Sequence, residues 1–301
     1  MKYIFILFFL CFTTQASSIN EKKGIKIESY EFEDVKDLDA KQGMQKWINE
    51  DIGLKPHRVN YILPFGYRDS SYKSYVPTDE YRNMESELQV SLKLYLGTNL
   101  LGFNESYYLA YSHLAFWQTY AESAPFRETN YTPEAFVDFP ISNKYSYFNL
   151  RSVKLGLAHT SNGQGSNKGV KYADPSQNPG SRSRSLNYIY SDLSFQYGTL
   201  LTEFRVSALI QGSDSSDDNP DIMDYLGHTS IKLNYFTGNH MFTLMARGNI
   251  TTGRGALETT YSYPLIDDAY LYVKIFNGYA ESLIDYNNNV TKFSIGFSFS
   301  R

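Results

Sequence analysis

From Leu88 to Leu94 every second residue is apolar: Leu88, Val90, Leu92 and Leu94 alternate with Gln89, Ser91 and Lys93. Successive side chains of a strand point to opposite faces, so a period of two specifies a strand with one apolar and one polar side. The segment from Lys292 to Phe299 repeats the pattern, with Phe293, Ile295, Phe297 and Phe299 against Lys292, Ser294, Gly296 and Ser298. About twelve strand-like runs follow one another, centred near residues 57–66, 84–96, 105–117, 134–141, 151–161, 186–195, 200–210, 228–236, 241–250, 256–263, 269–277 and 291–299. Past residue 16 there is no apolar run long enough for a transmembrane helix. Mean hydropathy is −0.41, yet aromatic residues make up 16% of the chain, with 27 Tyr and 20 Phe. A membrane barrel reconciles the two. Only its lipid-facing half-strands are apolar, its lumen is polar, and aromatic girdles mark both interfaces. A secreted β-sandwich shares the alternation. The aromatic excess and the N-terminus favour the barrel. The expected fold is all-β, a transmembrane antiparallel β-barrel of about twelve strands with a polar N-terminal extension.

The N-terminus reads as a signal peptide over residues 1–16. Met1-Lys2 is the charged start, Tyr3 to Phe12 the apolar run, and Thr14-Gln15-Ala16 the cleavage site. Cys11 is the only cysteine, so no disulfide is possible after cleavage. Phe9-Leu10 before it is not the small-residue pair of a lipidated cysteine. Residues 17–56 are charged, as in Glu21-Lys22-Lys23 and Glu31 to Lys36, with a short helix expected between Asp39 and Asp51. They are expected to form a solvated leader in the periplasm or tucked against the barrel, which takes up residues 57–301. Connections alternate in length. The stretches 97–104, 196–199, 237–240 and 264–268 are short; 67–82, 118–133, 162–185, 211–227 and 278–290 are long. Short turns are periplasmic and long loops extracellular in such barrels. The net charge of −4 and the lack of a basic stripe give no reason to expect nucleic acid as a partner.

Chemistry is concentrated in one strand. In Val153 to Ser161, Val153, Leu155, Leu157, His159 and Ser161 share a face, while Lys154, Gly156, Ala158 and Thr160 share the other. A base and a nucleophile therefore stand on the apolar side. In a membrane barrel that side faces lipid, which points to lipid as substrate. Asn187 on the next strand shares parity with Ile189, Leu193 and Phe195, so the hairpin brings it beside His159. An Asn can orient an imidazole without placing a full charge near hydrocarbon. Glu87, Lys93, Lys154, Lys232 and Lys274 read as structural lumen charges.

His159-Thr160-Ser161-Asn162-Gly163 followed by Ser183-Arg184-Ser185-Leu186-Asn187 resembles the active-site signature of bacterial outer-membrane phospholipase A. Three further blocks resemble that family in order: Ser123 to Tyr131 as an extracellular segment, Asp217 to Ile222, and Gly278 to Asn287. The resemblance covers roughly residues 80–299. It implies a calcium-dependent acyl hydrolase of glycerophospholipids and lysophospholipids, embedded in the outer membrane and active as a homodimer. Its active site would lie at the extracellular-side leaflet. It also implies Ser161 as nucleophile, His159 as general base, Asn187 as orienting residue and the Gly163 amide as oxyanion donor. For Ca²⁺ it implies the Gln164 carbonyl, the Ser183 hydroxyl and Ser123 from the neighbouring subunit, with Asp218 at a separate monomer site.

The loop from Gly163 to Ser183 is longer than the family's, so the position matching the family's loop carboxylate is Asp174 by local sequence or the amide Asn167 by distance from His159. His113 stands where the family's dimer interface has Gln. Two rival functions use the same scaffold. An inactive porin or adhesin barrel would have no need to keep Ser161, His159 and Asn187. An outer-membrane protease would need clustered acidic residues and His on the lumen rim.

Overall fold

A computed structural model of the chain describes residues 30–48, 54–69, 72, 80–142, 146–165, 181–210, 219–266 and 268–301. Helix α1 (Leu38–Ile48) precedes β1 (Leu54–Pro56), β2 (Tyr61–Arg68), β3 (Met84–Thr98), β4 (Ser106–Trp117), β5 (Phe126–Pro140), β6 (Leu150–Ser161), β7 (Ser185–Tyr197) and β8 (Leu200–Leu209). Then come α2 (Ile222–Leu226), β9 (Thr229–Thr237), β10 (His240–Asn249), β11 (Arg254–Ile266), β12 (Ala269–Gly278) and β13 (Val290–Ser298). Consecutive strands from β2 onward pair antiparallel, and β13 pairs back with β2, which closes the ring. β1 and β2 both pair with β3 at different heights, Pro56 opposite Leu92 and Tyr61 opposite Gln89. They are two halves of one interrupted stave, so the barrel has twelve. Closure removes every sheet edge, which a backbone inside a bilayer requires. Among the described residues no helix is long and apolar enough to cross a membrane; in a barrel the strands do so.

The polarity is that of a membrane barrel and not of a sandwich. On β3, Val90 and Leu94 are exposed while Glu87 and Ser91 are fully buried. On β13, Phe293 and Phe297 face out while Lys292, Ser294 and Ser298 face in. Buried charges are tolerable only when paired, and these are. Arg127 makes a fork to Glu85 at 2.8 and 3.0 Å. Lys292 reaches Glu85 at 2.9 Å and Glu87 at 3.2 Å, and Lys274 reaches Glu87 at 2.5 Å. Arg205 forks onto Asp192 at 2.6 and 2.7 Å, and Lys154 also meets Asp192, at 3.6 Å. Glu87, Lys154 and Lys274 are thus the lumen charges the alternation predicts. A cavity of about 2560 Å³ runs inside, from Asn99 and Asp268 at the turn end to Met223 and Leu283 at the loop end.

One strand differs from expectation. β5 begins at Phe126, eight residues before the expected start near 134, so its preceding loop is only 118–125. Residues 126–131, expected as part of an extracellular segment, are strand. Arg127, Glu128, Asn130 and Thr132 resemble a loop in composition, but all four are buried lumen-facing side chains. From Tyr30 onward the N-terminal extension takes the second of its two expected placements, against the barrel. Val35, Ala40 and Met44 are buried against Leu201, Phe236 and Met241 at the turn end of the barrel. Asp37 caps α1 through the Ala40 amide at 3.0 Å and accepts the Gly238 amide of the β9–β10 turn at 2.5 Å. The Glu31 amide donates to Gln196 Oε1 at 2.8 Å, and the Glu31 carboxylate meets Arg151 at 3.1 Å. The short helix falls where it was expected. The signal-peptide residues lie outside the described residues.

Candidate active site

β6 and β7 pair without a slip from Ser152–Ser194 to Ser161–Ser185, so the alternation read in the sequence holds along the whole segment. Leu155 and Leu157 are 47% and 57% exposed, while Ala158 is 3% exposed. His159 and Asn187 stand directly opposite each other, with Nδ1 and Oδ1 2.8 Å apart. An amide oxygen can only accept, so Nδ1 carries the hydrogen and Nε2 is left as the basic nitrogen. Ser161 is the last residue of β6, on the same face, opposite Tyr131 of β5 and Ser185 of β7. Two residues along a strand span about 6–7 Å, which a His and a Ser side chain can bridge.

The neighbouring strand shapes the site in ways the sequence did not reveal. The β5–β6 ladder runs from Tyr131–Ser161 to Pro140–Ser152 and skips Thr132 and Pro133. Pro133 has no N–H to give, and the register sets it opposite His159. The Tyr131 ring packs edge-on against His113, with centroids 5.1 Å apart. The same ring would lie 3.1 Å from a Cβ on Gly163, whose φ is +64°. Both the backbone conformation and the close ring therefore call for glycine at 163.

The candidate cation ligands fall in three places. Gln164 and Ser183 lie at the two ends of the β6–β7 loop, which Asn162 draws together. Its Oδ1 accepts from the Gln164 amide at 3.3 Å and the Arg184 amide at 3.0 Å. Ser123 is exposed on the loop 118–125, with φ 59°. Asp174, Asn167 and Asp218 lie outside the described residues. Among the described residues no group of three or more His, Cys, Asp or Glu could hold a metal. The carbonyl of Gln164 and hydroxyl of Ser183 are hard neutral oxygens, a donor chemistry that fits calcium and not a softer metal.

Fold and face together define a class: a twelve-stranded outer-membrane β-barrel with a His–Asn pair on its outer surface. The family model described as Phospholipase A1 matches residues 39–299. A phospholipase A1 of Klebsiella pneumoniae is 35% identical over 248 residues, 81% of each chain. The structure of outer membrane phospholipase A from Escherichia coli superposes with a TM-score of 0.70 at 32% identity, covering 82% of this chain and 98% of that one. The Salmonella typhi outer membrane phospholipase dimer with bound calcium gives 0.71 at 32% identity, covering 86% and 97%. The chain belongs to the phospholipase A1 family and is an outer-membrane phospholipase.

Proposed function

We propose that this enzyme hydrolyses acyl esters of glycerophospholipids and lysophospholipids through a Ser161–His159–Asn187 triad on the lipid-facing outside of the barrel. The observation that carries the reading is the 2.8 Å His159–Asn187 bond on the same strand face as the exposed Leu155 and Leu157. His159 Nε2 takes the Ser161 proton as Oγ attacks the ester carbonyl. Asn187 holds the Nδ1 hydrogen and keeps the ring in its productive tautomer. The Gly163 amide donates to the developing oxyanion. His159 then protonates the departing glycerol oxygen, leaving the acyl group on Ser161. Water, deprotonated by His159, releases the fatty acid and restores Ser161.

Gln164 and Ser183, with Ser123 of a second copy, would hold a calcium ion whose positive charge supplies further oxyanion stabilisation. Asp174 is the proposed loop carboxylate and Asp218 belongs to a separate site. The long loop 162–184 puts the triad at the loop end of the barrel, which we assign to the extracellular side, so substrate arrives from the outer leaflet. Dimerisation completes the cation site in this reading.

The test is fatty-acid release from phospholipid by detergent-solubilised protein. Ser161→Ala and His159→Ala should lower turnover by several orders of magnitude while keeping the heat-modifiable mobility of a folded barrel. Wild-type turnover in either folded variant would end the triad reading.

A further inference from the structure

We propose that Asn162 is a positioning residue, whose buried side chain clamps the end of β6 to the start of β7 and fixes the separation of Gly163–Gln164 from Ser183. The proposal rests on the reading of the site given above. Asn162 is 2% exposed, although it directly follows Ser161 at the membrane face. Its backbone amide and both side-chain polar atoms reach the two loop ends. Its backbone amide donates to the Arg184 carbonyl at 3.1 Å. Its Oδ1 accepts from the Arg184 and Gln164 amides. Its Nδ2 donates to the Arg182 carbonyl at 2.8 Å and to Glu128 Oε2 at 3.4 Å.

A second asparagine acts from the other side. Asn219 is also 2% exposed, accepts the Ser185 amide at 2.9 Å and donates to the Ser185 carbonyl at 3.0 Å. The backbone on both sides of Ser183 is therefore tied down, from Arg182 to Ser185. Glu128 anchors the clamp in turn. Its Oε1 accepts from Asn130 at 2.6 Å and from the Ile284 amide at 3.1 Å, so the clamp is braced against the β12–β13 loop. Asn is the side chain that suits position 162, because one oxygen must accept from two amides while one nitrogen donates to a carbonyl and a carboxylate. Aspartate keeps the acceptor but loses both donated bonds and sets a negative charge against Glu128. An effect on geometry should fall first on cation capture, which needs oxygens from both loop ends, and less on the His159–Asn187 pair and the position of Ser161, which the β6–β7 ladder holds on its own.

The experiment uses full-length protein in detergent with calcium as probe. Asn162→Ala and Asn162→Asp are compared with wild type and Ser183→Ala. Three readouts are taken: heat-modifiable mobility, the calcium concentration giving half-maximal turnover, and the calcium-induced rise in melting temperature, which needs no substrate. The proposal expects both Asn162 variants to stay folded and to require roughly tenfold or more calcium, the size typical for loss of a group that orients a metal ligand. Turnover at saturating calcium should fall less, and the calcium-induced thermal shift should shrink. An unchanged calcium requirement in folded Asn162→Ala, with Ser183→Ala raised, would overturn the clamp and leave the site reading intact. An unchanged requirement in Ser183→Ala would instead reject the cation reading of the loop on which the clamp depends. If both Asn162 variants fail to fold, Asn219→Ala is the second test. The clamp expects a raised calcium requirement there as well, and a wild-type requirement overturns it.

Discussion

At the scale of single residues the proposed triad depends on tautomer control. In the proposed mechanism Asn187 acts only through His159 Nδ1, so Asn187→Ala removes orientation and not a reacting atom. Turnover should fall by roughly 10²-fold, the cost of a misplaced catalytic group, and Asn187→Asp should recover part of it because a carboxylate also accepts from Nδ1–H. A pH–rate profile of the two variants checks this; identical losses in both would mean that the acceptor at 187 is irrelevant. The shared face of His159, Ser161 and Asn187 was legible in the sequence because strand alternation alone sets it. Asn162 was not legible as a clamp. It sits in the motif beside Ser161, but its four partners come from residues 128, 164, 182 and 184. Only closure of the loop and of the β5–β6 pairing brings those together.

At the scale of elements, β6 carries two environments on its two faces. Leu155 points to lipid and Gly156 to the lumen, where a Cβ would lie 2.4 Å from the Tyr190 ring. Leu155→Arg should destabilise the barrel by about 2–4 kcal/mol near the bilayer centre. Gly156→Ala should cost about 1–3 kcal/mol by overpacking. Refolding titrations in lipid vesicles measure both, and a neutral Gly156→Ala would show that the Tyr190 ring moves freely. The N-terminal segment is held by a different kind of contact. Backbone amides of Ala40 and Gly238 aimed at Asp37 hold its carboxyl below the usual carboxylate range. A depressed value in the folded state means the contact stabilises fully above the unfolded value of about 3.9. That contribution is lost as pH falls through the lower folded value. Protease cleavage within 30–48 should therefore rise on acidification below about pH 4, and Asp37→Ala should show the raised rate already at neutral pH. Equal cleavage of Asp37→Ala and wild type at neutral pH would show that the apolar contacts of Val35, Ala40 and Met44 suffice.

At the scale of the whole molecule, the proposed cation site needs a second copy. If Ser123 serves its neighbour, Ser123→Ala and Ser161→Ala protomers should complement each other when mixed. Roughly a quarter of wild-type turnover is expected from a 1:1 mixture, since half of the dimers are mixed and each holds one complete site. No recovery above the separate variants would place Ser123 in its own chain's site or outside the chemistry.

The strand count, the lipid-facing and lumen-facing sets and the shared face of His159, Ser161 and Asn187 were set by the sequence alone. The physical reason is that a period of two is a local property, unaffected by which strand lies alongside. β5 was misread at its start because Arg127, Glu128, Asn130 and Thr132 are polar, and polarity in a barrel with a charged lumen marks the inside as readily as a loop. Their partners, Glu85, Asp285, Asn162 and Thr160, come from elsewhere in the chain. Only the closed ring supplies them. The same holds for the N-terminal segment. Val35, Ala40 and Met44 are buried among its apolar residues, but no local pattern says what they pack against. They are buried because the turn end of the barrel presents Leu201, Phe236 and Met241 on the adjacent strands β8, β9 and β10, a surface that exists only once those strands have paired.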